Sequence, residues 1–221
     1  MFFVKNIHHM LHIQGFVFNF ASENTYIVYN ENKNAWLIDP GNSSDEETKA
    51  IENFIRENEL NIVKIVLTHA HIDHILGLQW ASDTFKVPVF MHKDDKEVLD
   101  MFQISGMRFG MELEHIHADI RYIDENDELE LDGERFKIYH VPGHSPGSIV
   151  YHHEKQNFII SGDVLFEGSI GRTDLFKGNY EQLIEGIRTK LFILDPETKV
   201  FSGHGNPTSI GFEKVYNPFF R

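Results

Sequence analysis

Four strong metal-binding side chains occur within six consecutive residues of this chain. They follow a nearly unbroken aliphatic segment, Ile62 to Leu67, in the run His69-Ala70-His71-Ile72-Asp73-His74. Side chains of an extended segment repeat every two residues, so His69 and His71 point to the same side. If a helix begins between the two pairs, Asp73 and His74 become neighbours in its first turn and face a second position nearby. Imidazole and carboxylate together suit zinc, iron or manganese.

Three later segments repeat this design, in which an apolar strand leads into a turn with a metal-type residue. The residues in these turns are His144, Asp163 and His204, and each lies next to or between glycine or proline residues. Glycine beside a ligand lets the backbone approach a metal closely. One such turn alone is weak evidence, since a lone histidine is more often an ordinary turn residue. Four strand ends of the same design in one chain favour a metal site.

Composition limits the classes of function. Hydrophobic residues make up 41% of the 221 residues, and neither a repeat nor a flexible linker interrupts the chain, so we expect one domain over residues 1–221. The net charge of −14 makes nucleic acid and anionic membranes unfavourable partners. We therefore expect a small-molecule substrate, and the sequence leaves the oligomeric state open.

The absence of cysteine has two consequences. Any transition-metal site must be built from histidine and carboxylate side chains, because thiolate is not available. No disulfide is possible, and the segment Met1 to His9 lacks a basic stretch followed by a long apolar run. Together these features predict a cytoplasmic protein.

The periodicity of apolar residues predicts two sets of strands with helices outside them. The segment from Phe102 to Asp119 is expected to be irregular. The predicted helices are Ser44 to Asn58, Ile75 to Thr84, Lys93 to Met101, Tyr180 to Phe192 and Thr208 to Tyr216. The predicted strands are Gly15 to Phe20, Thr25 to Tyr29, Ala35 to Ile38, Ile62 to Leu67, Pro88 to Met91, Arg135 to Val141, Ser148 to His153, Phe158 to Ser161 and Lys199 to Ser202.

Several motifs give the chain a family resemblance. The stretches Ser161-Gly162-Asp163-Val164-Leu165-Phe166 and Gly171-Arg172-Thr173-Asp174 accompany the histidine run. With them, the chain resembles the metallo-β-lactamase superfamily and, within it, the short glyoxalase II-like (hydroxyacylglutathione hydrolase-like) branch. The resemblance runs from Leu37 to Phe219. It implies an α/β fold, the four-layer αββα sandwich, with its metals on one sheet edge.

The resemblance also implies a role for each ligand. His69, His71 and His144 match the ligands of a first metal. Asp73, His74 and His204 match those of a second, and Asp163 matches the carboxylate that bridges the two. Asp39 matches a residue that supports the site from behind. Arg172 and Asp174 are left with two readings: they pair with each other, or Arg172 meets an anionic substrate.

The activity implied is hydrolysis of small thioesters by a metal-bridging hydroxide, with Asp73 orienting it and accepting a proton. The cofactor would be two divalent ions, with zinc as the first choice and iron or manganese as alternatives. One alternative function is a mononuclear iron persulfide dioxygenase, and another is a non-catalytic metal-binding scaffold. The long C-terminal extension through which other glyoxalase II enzymes bind glutathione has no counterpart. Substrate recognition is therefore expected from the Phe102–Asp119 segment and Arg172.

Overall fold

A computed structural model describes residues 10–221. The segment Met1 to His9, from which the absence of a secretory signal was predicted, lies outside the described residues. The first sheet has six strands. The first three pair antiparallel, and the remaining pairs are parallel. In spatial order the strands are His12–Phe18, Glu23–Tyr29, Asn34–Ile38, Asn61–Val66, Val89–His92 and Ile120–Ile123.

The second sheet also has six strands, and all but one of its pairs are antiparallel. In spatial order they are Thr208–Ser209, Lys199–Ser202, Phe158–Gly162, Ile149–His153, Glu134–His140 and Glu128–Leu131. The parallel pair joins Phe158–Gly162 to Lys199–Ser202. A separate short hairpin pairs Leu165–Phe166 with Ser169–Ile170.

The helices lie outside the two sheets. The α-helices span Asp45–Glu57, Ile72–Ile75, Leu78–Phe85, Lys96–Asp100, Phe102–Arg108, Tyr180–Gly186 and Ile210–Tyr216. Short 3₁₀ turns span Lys93–Asp95 and Pro218–Phe220, and a π-helical turn, Ile187–Leu191, extends one helix. Within residues 10–221, none of the helices is long and apolar enough to cross a membrane.

Three buried apolar clusters separate four layers. One lies between the first sheet and its helices, one between the two sheets, and one between the second sheet and its helices. Neighbouring residues of one strand enter different clusters: Leu37 packs under the helices and Trp36 between the sheets. This alternation explains why the central strands are apolar at nearly every position. The predicted αββα sandwich is confirmed.

The prediction was wrong for part of one segment. Phe102–Arg108 is helical, and the chain becomes irregular only after it. Phe102 at its start is buried in the cluster under the first sheet, which anchors the helix. The sequence analysis also missed the strands Ile120–Ile123 and Glu128–Leu131, which are short and carry exposed charged residues. Their pairing to longer neighbours, more than their own pattern, makes them strands.

The two sheets are joined by hydrogen bonds at the edge where their strands end. Tyr151 donates its hydroxyl to the carbonyl of Leu67 (2.7 Å), and Tyr26 donates to that of Ser202 (2.7 Å). The amide of Asn24 reaches the carbonyl of Gly203 (2.7 Å). These bonds fix the loops that follow Val66 and Ser202, and those loops carry the predicted ligands.

Candidate metal centre

The structure brings all seven predicted ligands together at one edge of the sandwich. Each follows the end of a strand or begins the helix after it. His69 and His71 follow the strand Asn61–Val66, while Asp73 and His74 open the helix Ile72–Ile75. The other three lie after strands of the second sheet: His144 after Glu134–His140, Asp163 after Phe158–Gly162, and His204 after Lys199–Ser202.

Three imidazoles form the first group. His69, His71 and His144 offer one nitrogen each to a common position, and these nitrogens lie within 4.8 Å of one another. The Nε2 atom of His144 is 3.2 Å from Nε2 of His69 and 2.8 Å from Nδ1 of His71. Three imidazole nitrogens that point at one another in this way form a neutral cradle for a metal cation.

One carboxylate and two imidazoles form the second group. Asp73, His74 and His204 also bring their ligating atoms within 4.8 Å of one another. The Oδ2 atom of Asp73 lies 3.2 Å from Nε2 of His204 and 3.8 Å from Nε2 of His74. This is the set that the resemblance assigns to a second metal.

Asp163 lies between the two groups. Its Oδ2 atom is 3.4 Å from Nε2 of His144 in the first group and 3.4 Å from Nε2 of His204 in the second. Its Oδ1 atom is 3.3 Å from Nε2 of His74. One carboxylate thus faces both groups, which is the arrangement a bridging ligand needs.

In two of the histidines, the ring nitrogen that faces away from the centre makes a hydrogen bond, and this bond determines which nitrogen carries the lone pair. His144 Nδ1 lies 2.8 Å from the Arg172 carbonyl, and His204 Nδ1 lies 3.1 Å from the Ala21 carbonyl. A carbonyl only accepts, so each Nδ1 is the N–H donor. When each ring is neutral, as it is when bound to a metal, its Nε2 atom therefore carries a lone pair directed at the other ligands. Such outer hydrogen bonds are the usual support of metal-bound histidine.

Asp39 provides the same support for the other two buried rings. Its Oδ2 accepts from Nδ1 of His74 (3.0 Å) and from the hydroxyl of Thr68 (2.6 Å). Because that hydroxyl donates its one hydrogen to Asp39, it acts as the acceptor for Nδ1 of His69 (3.1 Å). Asp39 holds a left-handed backbone (φ 48°), which is uncommon outside glycine. The predicted supporting role matches these contacts.

Buried polar atoms without partners show that the donor set fits a metal. Nε2 of His74 and Oδ1 of Asp163 are fully buried and make no hydrogen bond to any described residue, although they lie 3.3 Å apart. Unpartnered buried polar atoms are costly unless an ion or water satisfies them. Space for close approach is kept by Gly203, where a Cβ would lie 2.2 Å from that same Asp163 oxygen. The residues present therefore fit two divalent cations.

The two groups differ in their electrostatics. Burial and the neighbouring imidazoles hold the pKa of His69 well below its ordinary value, and burial with His144 lowers the pKa of His71 to about 3. Burial also lowers the pKa of His204, but hydrogen bonding to Asp163 and Asp73 outweighs it and brings the pKa to about 10. His69 and His71 are thus neutral, whereas the carboxylates around His204 favour a positive charge there, which a metal ion can supply.

Arg172 and Asp174 pair with each other, which is the first of the two arrangements predicted from the sequence. The Arg172 guanidinium donates through Nε and Nη2 to the two carboxylate oxygens of Asp174, at 2.7 and 2.8 Å. Both side chains are largely exposed. The backbone carbonyl of Arg172 still serves the site, because it accepts from His144. Asp174 itself makes no contact with the ligands.

Sequence reasoning missed Asp95, which lies outside every motif. This carboxylate is completely buried and accepts three hydrogen bonds: from the amide of Ala70 (2.6 Å), the hydroxyl of Ser145 (2.6 Å) and the amide of Gly147 (2.5 Å). Ala70 separates His69 from His71, and Ser145 follows His144 directly. Asp95 therefore ties together the two turns that carry the first group.

Gly147 makes this contact possible. A Cβ at that position would lie 2.7 Å from Oδ1 of Asp95 and 2.6 Å from its amide nitrogen. The only sequence signal for the pair was the Pro146-Gly147 turn. Glu23 was missed as well: it is fully buried, accepts from the Thr25 hydroxyl (2.9 Å), and lies 3.8 Å from Nδ1 of His74.

Another grouping of metal-type side chains lies outside this centre. His92, Asp94 and His140 bring potential ligand atoms together, but the two rings stack with centroids 3.9 Å apart and planes at 18°. Lone pairs in nearly parallel ring planes do not converge on one point. Nε2 of His140 is instead engaged with the carbonyl of Pro146 (2.8 Å). Through His140, this grouping supports the turn that carries His144, and it is a poor metal site.

Comparisons with known proteins agree with the geometry. The sequence profile of the metallo-beta-lactamase superfamily matches residues 19–204. Hydroxyacylglutathione hydrolase GloC of Haemophilus influenzae is 37% identical over 199 residues, which cover 89% of this chain and 92% of that protein. The solved BLEG-1 B3 metallo-beta-lactamase is 35% identical with a TM-score of 0.86, covering 95% of this chain and 99% of that one. TTHA1623, solved in a di-iron-bound form, is 30% identical with a TM-score of 0.83, covering 93% and 99%.

Replacing Asp163 with alanine should remove one of two bound metals. No other described carboxylate faces both groups, so the metal content should fall from two to at most one per chain. Elemental analysis of the purified variant measures this. Asp174→Ala removes an exposed carboxylate outside the centre and should retain two. Two tightly bound metals in Asp163→Ala would contradict the bridging role.

Replacing Asp95 with asparagine should weaken metal binding by about 10- to 100-fold, as loss of a hydrogen bond that orients ligands does in other metal sites. All three partners of Asp95 donate hydrogen bonds to it. The NH₂ group of an asparagine cannot accept a hydrogen bond, so at least one of the three bonds is lost in the variant. Competition with a chromogenic chelator measures the affinity. Asp94→Asn makes the same change on the exposed neighbour and is the matched control. Equal affinities in the two variants would show that Asp95 does not position the ligands.

Proposed function

Because this chain belongs to the metallo-β-lactamase superfamily, we propose that it is a two-metal hydrolase of small thioesters. The observation that carries the proposal is the position of Asp163 between the groups of His144 and His204. A relative named for hydroxyacylglutathione hydrolysis, at 37% identity, supports thioester cleavage.

Two divalent cations in these groups would acidify water to a pKa of about 7 and polarise a carbonyl oxygen. We assign Asp73 the role of orienting the attacking water and accepting its proton. Its side chain is 16% exposed and lines the cavity above the centre, whereas the His74 ring behind it is fully buried. Asp73 is thus within reach of both the ligand set and a bound substrate.

The side chains that line the cavity over the metal centre also favour a substrate whose leaving group is a thiolate. In hydrolysis, the water oxygen bonds to the acyl carbon, the carbon–sulfur bond breaks, and its electron pair goes to sulfur. A thiol has a pKa of about 8.5, so the departing sulfur needs little help from an acid. Among the described residues, the cavity side chains that ionise are the ligands, Arg108 and Arg172, and an arginine does not release its proton. An amide nitrogen leaves as a much stronger base, so it would depend on a proton returned by a ligand such as Asp73.

The donor set limits the metals without choosing one. All seven side chains offer nitrogen or oxygen, which zinc, iron and manganese accept. We propose zinc first, with iron or manganese as alternatives, and the di-iron form of TTHA1623 is a reason to test iron. For partners we propose a small molecule, with neither nucleic acid nor membrane, because the net charge of −14 repels both.

The alternative as a persulfide dioxygenase would need one iron and a subset of the ligands. The complete second group and the shared carboxylate favour two metals instead. A non-catalytic scaffold is the third candidate. It gives no reason for ligand lone pairs to face an open cavity.

Purified protein loaded with zinc, iron or manganese should hydrolyse S-lactoyl and S-acetyl thioesters. Turnover is followed as released thiol, on two or three different thiols. Metal removal by a chelator should abolish it, and the added metal should restore it. A β-lactam with a chromogenic leaving group serves as an amide control and should react more slowly.

The contrary result is equally clear. If no thioester is cleaved and the iron form consumes oxygen on a persulfide, the chain is a dioxygenase. If neither reaction occurs with any metal, the scaffold function stands.

A further inference from the structure

A cavity of about 640 Å³ opens over the metal centre, and most of its wall is apolar. Its aromatic rings come from three separate parts of the chain: the turn at Phe20, the helix Phe102–Arg108 with Phe109 after it, and the loop that follows Asp163, with Phe166 and Phe176. The rings of Phe20 and Phe109 lie in contact, with centroids 4.7 Å apart. The cavity is therefore built by long-range packing around one space.

Several of these rings are exposed although they surround the site. The exposed fractions are 51% for Phe20, 55% for Phe109 and 42% for Phe176. Covering such surface with an apolar ligand is favourable, because it removes apolar area from water. Exposed aromatic rings around a cavity are typical of a binding site for an apolar group.

The polar side chains of the wall are few. Apart from the metal ligands, they are Ser105, Arg108 and Arg172. Arg172 is held by both oxygens of Asp174, so its guanidinium is already neutralised. The side chain of Arg108 makes no ion pair or hydrogen bond with any residue from 10 to 221. In a chain of net charge −14, Arg108 is therefore a cation on the cavity wall that is available to pair with an anionic group of a ligand.

We propose that the substrate is a thioester with a bulky apolar body, aromatic or branched, that carries a carboxylate bound by Arg108. The proposal rests on the thioesterase function above and names its substrate class. Guanidinium matches a carboxylate through two parallel hydrogen bonds, and the rings of Phe20 and Phe109 would cover the body. The sulfur and the acyl carbonyl lie towards the metal ligands.

The same wall disfavours a glutathione thioester. That carrier has two carboxylates, an ammonium group and two peptide bonds. The three polar side chains outside the ligand set offer few partners for these groups, and burying an amide without a partner is costly. The structure thus favours a carrier or an acyl group with few polar atoms.

The test compares two substrates of equal size, the N-acetylcysteamine thioesters of 4-carboxyphenylacetic acid and of its carboxamide. In the wild type, kcat/KM should be higher for the carboxylate. Arg108→Gln should lower the ratio of the two kcat/KM values by about tenfold or more, since a hydrogen bond to a charged group is involved. Arg121→Gln, an exposed arginine paired with Asp119 outside the cavity, is the matched control and should leave the ratio unchanged.

A third substrate locates the carboxylate. The S-acetyl ester of 4-mercaptomethylbenzoate carries the same ring and charge on the thiol side. A larger Arg108→Gln effect on this substrate assigns the apolar body to the thiol, and a larger effect on the first substrate assigns it to the acyl group. Either result supports the proposal. An unchanged ratio in Arg108→Gln overturns it, as does an S-acyl glutathione that reacts faster than both carboxylates.

Failure of the proposed function can be told apart from failure of this proposal. If the wild type cleaves no thioester, calorimetry with 4-carbamoylphenylacetate and its dicarboxylate analogue still measures recognition. If the wild type binds the dicarboxylate more tightly, and this preference is lost in Arg108→Gln but kept in Arg121→Gln, the result supports carboxylate binding by Arg108 even in the absence of turnover. Preference that survives Arg108→Gln overturns it. Thermal melting of each variant confirms that it is folded.

Discussion

The strongest constraint on this structure is the close approach of metal-binding atoms at the edge where the two sheets are joined. There, the lone pairs of histidine nitrogens and the oxygens of carboxylates face one another. Nε2 atoms of His69 and His144 lie 3.2 Å apart, and Nε2 of His74 and Oδ1 of Asp163 are buried without a hydrogen-bond partner among the described residues. Atoms of this kind repel or remain unsatisfied in a buried place unless a cation lies between them. The rest of the fold serves to hold them there.

The support comes from behind and from both sheets. Asp39 and Thr68 fix the rings of His69 and His74, while main-chain carbonyls fix those of His144 and His204. The tyrosine hydroxyls that link the sheets set the distance between the strand ends. Orientation of this kind reduces the reorganisation that metal binding would otherwise require. Many buried polar groups therefore gather at this edge, while others, such as the pairs Glu134–His153 and Glu213–Asn217, lie elsewhere in the fold.

The periodicity of the sequence predicted two sets of strands with helices outside them, and the family resemblance supplied the αββα sandwich. The seven predicted ligands also leave short local patterns, and the structure brings their side chains together. A strand that is apolar at every position must be covered on both faces, and ligands at strand ends repeat one short design. Asp95 and the cavity leave no such pattern. Asp95 acts through Ala70, Ser145 and Gly147, of which the last is 52 positions away. The helix Phe102–Arg108 depends on Phe102 packing beneath a distant sheet, so its pattern looked irregular.

The most direct test of the two-metal account is anomalous diffraction from crystals of the metal-loaded protein, recorded on both sides of the absorption edge of the metal. The account predicts two peaks about 3.5 to 4 Å apart. One should lie within bonding distance of His69, His71 and His144, the other of Asp73, His74 and His204, with Asp163 touching both. A single peak in fully loaded crystals, or a peak at His92 and His140 instead, would contradict it.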